Sequence, residues 1–252
     1  MLQLKRIGQI LDGYCAPATL AILYSQYGFE IDQVDIVKKA NARTFIDKHG
    51  MRLDQMSRAV RLLTPYLSLF AKRNASLDDL DVLINTYHFA VGVEWQGIFE
   101  YETVPGAPEV EPGDDGHCSV IVGIDLKEQR LFLQDPSEGY EDKNREFDLE
   151  IFAKRWFDTN DVEVNDSDEA KEWKQDNQVL FVLAPRHMRF PETMGLKKVR
   201  VAPTFRKKSI WEKTTEVCWK KTRHIIAQIV PKLYFPTRNE LGFQKTEADT
   251  SL

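Results

Sequence analysis

The feature that most constrains the fold is a pair of apolar runs in the middle of the chain, HCSVIVGI and RLFLQD, which the polar DLKEQ separates. Both runs are rich in β-branched or aromatic residues, and two such runs with a short polar break between them are typical of a β-hairpin. With the turn centred near Lys127, antiparallel pairing would place residues whose numbers sum to about 254 opposite one another. The hairpin therefore predicts which side chains of the two strands can meet.

This register brings a histidine close to an aspartate. Ser119 would face Asp135, and His117 would lie one diagonal step away, at roughly 7–8 Å between backbones. Because alternate residues of a strand share a face, we predict that His117 can reach the Asp135 carboxylate, which would hold the ring tautomer and stabilise the imidazolium. A register slip of one residue would break this contact. Alternatively, Asp135 and the following proline simply form a turn at the strand end.

Helical periodicity dominates the first part of the chain, and strands dominate the rest. Apolar spacing predicts helices from about Cys15 to Gly28, over Asp32 to Ala40 and over Leu53 to Leu63. Ser76 begins a capped helix, and another is predicted around Leu149 to Phe157. SLFAKR, FAVGVEW and QVLFVLAP are predicted strands. Helices followed by a sheet with few further helices favour an α+β fold, with the N-terminal helices packed on an antiparallel sheet.

The net charge of -5 conceals an uneven distribution along the chain. Residues 1–185 carry 19 Lys and Arg against 33 Asp and Glu, whereas residues 186–252 carry 15 against 6. We therefore predict an acidic domain over residues 1–185 and a basic C-terminal extension over 186–252. Nucleic acid is not an expected partner of the acidic domain, because phosphate binding requires a positive surface.

The sequence argues against a membrane span, a disulfide framework and a metal site. No run approaches the ~18 apolar residues of a membrane helix, and the N-terminus lacks the features of a secretory signal, so a cytoplasmic protein is predicted. Cys15, Cys118 and Cys218 are too few and too scattered for disulfides or a paired-cysteine zinc site. His117 and Cys118 point to opposite faces of their strand, so neither a metal nor another cofactor is expected, and Cys118 is predicted to be a core residue.

Cys15 stands where a loop gives way to a helix, with Pro17 suited to the first helical turn. The positive end of the helix dipole helps to lower a thiol pKa, and only the thiolate attacks a carbonyl group. Such a nucleophile needs a nearby imidazole, for which His117 is the candidate, and Gln9 could donate an amide N–H to an oxyanion. Taken alone, Cys15 also fits a small buried residue at a helix start.

The stretch GQILDGYCAPATLAILYSQYG resembles the segment that opens papain-like peptidases of the family containing the double-glycine leader peptidases of bacteriocin export transporters. The likeness continues in order: GHCSVIVGID resembles the family's histidine strand, LFLQDPSEG its Asp-Pro strand and FDLEIFAKRWF the helix that follows. It covers about residues 1–185. The resemblance implies a papain-like cysteine peptidase without the transporter domains, acting on a peptide or protein substrate.

The resemblance also implies a role for each candidate residue. Cys15 would be the nucleophile, His117 the general acid and base, Asp135 the residue that orients the histidine and Gln9 the oxyanion donor. The chain departs from the family in having Ala16 after the cysteine, where glycine is usual, and Tyr14 before it, where the family has an acidic residue. The same triad could instead catalyse acyl transfer, transpeptidation or deamidation, and a non-catalytic peptide-binding module is the alternative.

The basic C-terminal extension contains one candidate amphipathic helix, with Trp211, Cys218, Ile225 and Ile229 on or near one face. This helix could dock on the acidic domain, bind a partner or lie on a membrane surface. The last dozen residues are predicted to be disordered. A long exposed loop is predicted from Gln96 to Asp115, where the sequence is rich in proline and acidic residues.

Overall fold

The computed structural model describes residues 1–44, 46–97, 116–140, 142–163 and 171–201. Its strands are β1 (Leu67–Lys72), β2 (Val91–Gln96), β3 (Gly116–Asp125), β4 (Arg130–Gln134), β5 (Asn144–Asp148), β6 (Phe157–Glu163), β7 (Lys171–Asn177), β8 (Val179–Pro185) and β9 (Lys197–Lys198). Seven of them form one sheet in the order β5-β4-β3-β2-β8-β1-β9, in which all neighbours are antiparallel. β6 and β7 pair separately as an antiparallel hairpin. All these elements belong to one unit, Met1–Ala202.

The helices are α1 (Cys15–Ser25), α2 (Gln33–Ala40), α3 (Ile46–His49), α4 (Leu53–Leu63), α5 (Leu77–Asp81) and α6 (Leu149–Arg155), with a π-helical turn, Val82–Thr86, continuing α5. α1 is buried on all sides from Ala16 to Tyr24, because α2 and α4 pack against it together with strands β2, β3 and β8. A helix that is apolar all round is a core helix. Cys15, its first residue, is thereby held beside the sheet.

The predicted α+β class, with N-terminal helices packed on an antiparallel sheet, is confirmed. α2 begins after Asp32, whose Oδ1 accepts a hydrogen bond from Val34 N at 2.7 Å, as an N-cap residue does. α4 has the predicted bounds. The helix predicted to reach Phe157 ends at Arg155, because Phe157 begins β6 and Trp156 is buried in the core.

The predicted hairpin register holds on the side of the candidate residues. Val120 pairs with Gln134 and Ile121 with Leu133, so both pairs sum to the expected value. A β-bulge between Ile121 and Gly123 then shifts the pairing by one toward the turn. The pairs next to the turn, such as Asp125 with Arg130, sum to 255, so the bulge, which inserts one residue into one strand only, restores the expected sum at the far end of the hairpin.

Several elements were not predicted: α3, β5, β6, β7 and β9. The loop predicted from Gln96 to Asp115 lies outside the described residues from position 98 onward, as does the candidate amphipathic helix of the C-terminal extension. Within the described part of the chain, every helix is too short or too polar to cross a membrane.

Candidate active site

The loop before Cys15 packs closely on α3. Gly13 has φ +77, and a Cβ atom at this position would lie 2.2 Å from the carbonyl oxygen of Ile46. Only glycine fits both the left-handed conformation and this approach. Pro17 occupies the first turn of α1, where a missing N–H costs nothing, and Cys15 remains partly exposed. The local sequence therefore fixes Cys15 at a helix N-terminus.

His117 is the second residue of β3 and only 3% exposed. Its Nε2 lies 2.7 Å from Asp135 Oδ1 and 3.1 Å from Ser137 Oγ. Since Nε2 is engaged on this side, Nδ1 is the ring nitrogen that remains for Cys15, with which the imidazole also forms a hydrogen bond. The contact between His117 and Asp135 that the hairpin register predicted is therefore present.

Asp135 follows β4, and its carboxylate is bonded to His117 of β3, to Ser137 of the following loop and to Arg145 of β5. Besides His117, its carboxylate accepts a hydrogen bond from Ser137 N at 3.0 Å and forms an ion pair with Arg145 Nη1 at 2.5 Å. Burial opposes the charge, but the His117 hydrogen bond and charge, the Ser137 N–H and the Arg145 guanidinium outweigh it and lower the pKa of Asp135 to about 2. Asp135 is thus a permanent anion at neutral pH.

Arg145 was not among the predicted site residues. It lies in β5, buried, and also donates a hydrogen bond to the carbonyl oxygen of Gly97 at 2.9 Å. Its guanidinium lies over the rings of Tyr140 at 4.2 Å, Phe147 at 4.8 Å and Trp95 at 5.5 Å. Arginine stacks on aromatic faces more readily than lysine because it is planar and weakly hydrated. The buried anion therefore has a matched buried cation.

Cys15 and His117 shift each other's protonation in opposite directions. Hydrogen bonds from the Cys118 thiol and the His117 ring, together with the imidazolium charge, outweigh burial and hold the pKa of Cys15 well below its usual value. Burial lowers the pKa of His117, but hydrogen bonds to Asp135 and Cys15 and the charges of both raise it to about 9. When the thiol is the stronger acid, the proton resides on the imidazole. The lowered pKa of Cys15 and the raised pKa of His117 therefore both favour the thiolate and imidazolium form of the pair.

Cys118 contributes to the site, which the sequence did not predict. It is buried, 7% exposed, as expected of a core residue, but its thiol also forms a hydrogen bond with that of Cys15. This contact raises the pKa of Cys118 well above its usual value, and burial adds to the shift. Cys118 therefore remains a neutral thiol that can donate to the Cys15 sulfur.

Gln9 lies beside the strand end that carries Asp135. Its backbone N–H donates to the carbonyl oxygen of Pro136 at 2.7 Å. Its side-chain Oε1 is buried and has no hydrogen-bond partner among the described residues. A buried amide that is left without partners is costly unless a ligand completes it. The Oε1 acceptor of this side chain is therefore unused among the described residues.

Glu94 is a second buried carboxyl group near the thiols. It pairs with Cys118 across β2 and β3, so the two side chains share a face, and it is 8% exposed. Burial raises the pKa of Glu94 to about 8, and the charges of Asp158, Asp176 and Cys15 add to this shift while Arg73 opposes it. Within the described ranges, no group of three or more His, Cys, Asp and Glu side chains is arranged to hold a metal ion.

The solved structures that are similar to this chain include two peptidase domains, whereas no curated protein sequence matches it. The peptidase domain of Streptococcus ComA, a bi-functional ABC transporter involved in a quorum sensing pathway, is 16% identical, with a TM-score of 0.47 and coverage of 74% of this chain and 100% of that one. A double glycine motif protease from an AMS/PCAT transporter, in complex with the leader peptide, is 11% identical, with a TM-score of 0.44 and coverage of 73% and 92%.

The family comparison covers the part of the chain that carries the site. The model of the Peptidase_C39 like family matches residues 1–164, a span that includes Cys15, His117 and Asp135. It also includes the helices α1 to α6 and the hairpin of β3 and β4. The chain therefore belongs to the Peptidase_C39 like family, and the predicted class, a papain-like cysteine peptidase, is confirmed.

Proposed function

We propose that the protein hydrolyses a peptide bond through a Cys15–His117–Asp135 triad and a thioester intermediate. The observation that carries the proposal is the chain of contacts from the Cys15 thiol to His117 and from His117 Nε2 to Asp135 at 2.7 Å. Each member has the protonation state that its role requires, because the pKa of Cys15 is lowered, that of His117 is raised to about 9 and that of Asp135 is lowered to about 2.

In the first step the Cys15 thiolate attacks the carbonyl carbon of a bound peptide, and a C–S bond forms while the carbonyl oxygen becomes an oxyanion. The Gln9 side-chain amide and the N–H at the start of α1 are the donors proposed to hold this oxygen. Preorganised donors of this kind stabilise the charge that develops in the transition state.

The imidazolium of His117 then donates its Nδ1 proton to the leaving amine, and the C–N bond breaks. The acyl group is left as a thioester on Cys15, and the imidazole is neutral. His117 next takes a proton from water, the hydroxide adds to the thioester, and the thiolate leaves as the carboxylic acid is released. Asp135 stays ionised throughout and holds the ring in the orientation that both transfers need.

The proposal is tested by the rate of Cys15 alkylation with iodoacetamide as a function of pH. The wild-type protein should label rapidly well below pH 8, because the thiolate is already formed there. In a His117→Ala variant the labelling should slow by about tenfold or more at pH 6 and follow an ordinary thiol, since the stabilising charge is lost. Mass spectrometry of the labelled peptide identifies Cys15 as the site.

His187→Ala is the matched control, because this histidine is exposed and lies outside the site. Labelling of the control should match the wild type at every pH. If the wild-type protein labels slowly, with the pH dependence of a free thiol near 8.5, and His117→Ala changes nothing, no ion pair exists and the catalytic proposal is wrong. A positive result justifies screening a peptide library for a cleaved sequence.

A further inference from the structure

Gln33 is the first residue of α2 and is almost completely buried, at 5% exposed. Its side-chain amide reaches the segment that carries Gln9. Nε2 donates to the carbonyl oxygen of Gly8 at 2.7 Å, and Oε1 accepts from the backbone N–H of Ile10 at 3.3 Å. One amide therefore bonds the residue before Gln9 and the residue after it.

The opposite edge of the same segment is also bonded. Gln9 N donates to the carbonyl oxygen of Pro136 at 2.7 Å, directly after Asp135. In an extended segment, backbone groups of alternate residues point to opposite sides, so Gly8 and Ile10 face Gln33 while Gln9 faces Pro136. Three hydrogen bonds thus fix the backbone of Gln9 between α2 and the end of β4.

The helix that carries Gln33, α2, is held in place at its start and by packing. Asp32 caps α2, and the helix packs against both α1 and α4. An oxyanion donor works only if it is held within a fraction of an ångström of the developing charge, and displacements of about 1 Å cost on the order of 10²-fold in rate. The proposed donor Gln9 lies in a loop without regular secondary structure, so it needs such a support.

We propose that Gln33 is the positioning residue of the oxyanion donor Gln9, whose backbone its amide bonds on both sides of that residue. The inference rests on the proposed function, because it assumes that Gln9 serves the reaction. Gln33 does not touch the substrate. Its contribution is to hold Gly8 and Ile10, and through them the Gln9 side chain, at the Cys15 thiol.

The test compares two reactions of Cys15 that differ in their need for an oxyanion donor. Acylation by p-nitrophenyl acetate passes through a tetrahedral oxyanion, whereas alkylation by iodoacetamide is a displacement at carbon and forms none. Gln33→Met removes both hydrogen bonds and keeps a buried side chain of similar length. We expect acylation to slow at least tenfold and alkylation at the same pH to stay within twofold of the wild type. The signal of a Cys15→Ala protein is subtracted from both.

The chain supplies a closely matched control. The Gln26 amide makes the same two-point contact with another loop, donating to His88 O at 2.6 Å and accepting from Ala90 N at 3.0 Å. Gln26→Met should therefore lose equivalent bonds and leave both rates unchanged. If Gln33→Met fails to alkylate like the wild type, Gln33→Glu replaces it in the same assay, because it keeps size and the acceptor for Ile10 but loses the donor to Gly8.

A double variant separates positioning from general damage. In a Gln9→Ala background, Gln33→Met should have no further effect on acylation, because the group that it positions is absent. The proposal is overturned if Gln33→Met slows acylation no more than Gln26→Met does, or slows it equally with and without Gln9. If Gln9→Ala leaves acylation intact, the oxyanion role of Gln9 fails and the positioning role fails with it. If Gln9→Ala slows acylation but Gln33→Met does not, only the positioning role fails.

Discussion

Asp135 and Glu94 are both buried carboxyl groups close to the reactive thiol, yet their protonation states differ at neutral pH. Asp135 is 2% exposed and has a pKa of about 2, whereas Glu94 is 8% exposed and has a pKa of about 8. Asp135 is bonded to His117, Ser137 and Arg145. No hydrogen bond contributes to the pKa of the Glu94 carboxyl group, and its charged neighbours include Asp158 and Asp176.

The comparison shows that burial alone does not decide the charge of a carboxyl group. Desolvation is the largest contribution at both residues and raises both pKa values. The partners then decide the outcome, because a cation and an imidazolium favour the carboxylate and nearby carboxylates disfavour it. Asp135 is therefore anionic and supports the imidazolium, whereas Glu94 is neutral at pH 7 and adds no negative charge near the thiolate.

The largest expected effect is that of Asp135→Asn, which replaces the buried carboxylate with a neutral amide. Ester hydrolysis should fall by about 10³- to 10⁴-fold, because the ring loses both its orientation and the charge that stabilises the imidazolium. The pKa of the His117 imidazole, about 9 in the wild type, should fall in the variant, as NMR titration of the ring measures. Asp125→Asn, an exposed aspartate of the same hairpin, is the control and should change neither result. An unchanged pKa of His117 would mean that Asp135 does not set the charge of the ring.

The next largest effect is on stability. It compares Arg145, which pairs with Asp135, with Arg73, whose charge acts on Glu94. Arg145→Met leaves a buried carboxylate without its cation and should lower the free energy of unfolding by about 3–5 kcal/mol in urea at pH 7. Arg73 forms two hydrogen bonds to Asp176 at 3.0 and 3.1 Å, but its side chain is 55% exposed, so Arg73→Met should cost below about 1 kcal/mol. Equal losses of stability in Arg145→Met and Arg73→Met would contradict the difference between the two carboxyl groups.

The smallest effect concerns Glu94→Gln and the pH dependence of stability. Because the folded pKa of Glu94 is raised, its contribution to stability is complete below its ordinary pKa near 4 and is lost as pH rises toward 8. The variant should remove this loss and be more stable than the wild type at pH 8 by on the order of 2 kcal/mol. Urea unfolding at pH 5 and pH 8 measures the change. Glu146→Gln, on the exposed face of β5, should parallel the wild type, and parallel curves for Glu94→Gln would refute the shift.

The contact of His117 with Asp135 was predictable because it depends only on local register. Two apolar runs and a short polar connection determine which residues of a hairpin lie opposite each other. The bulge near Gly123 was not predictable, and the predicted contact depends on it, because with the register next to the turn Asp135 would face Val120 and lie on the strand face opposite His117. Similarly, Asp32 and Gly28 mark helix boundaries by their own backbone chemistry, so the bounds of α1 and α2 follow from short stretches of sequence.

Arg145, Cys118 and Gln33 were missed because their partners are distant in sequence. Gln33 contacts residues more than twenty positions away, and nothing in its own surroundings distinguishes it from an exposed glutamine. Arg145 did carry a signal, since it alternates with Phe147 on the inward face of β5 and a buried arginine requires an anion. β6 and β7 are polar strands without apolar alternation, so periodicity does not reveal them.

The hydrogen bond from Gln9 N to Pro136 O links the two halves of the proposed catalytic set. Asp135 and Pro136 are consecutive, so a local opening that frees the end of β4 would release His117 and Gln9 together. It would also expose the Gln9 amide to solvent, where hydrogen exchange proceeds. The exchange rate of this single amide therefore reports the fraction of time for which the site is disassembled, and the site is expected to assemble and come apart as one cooperative unit.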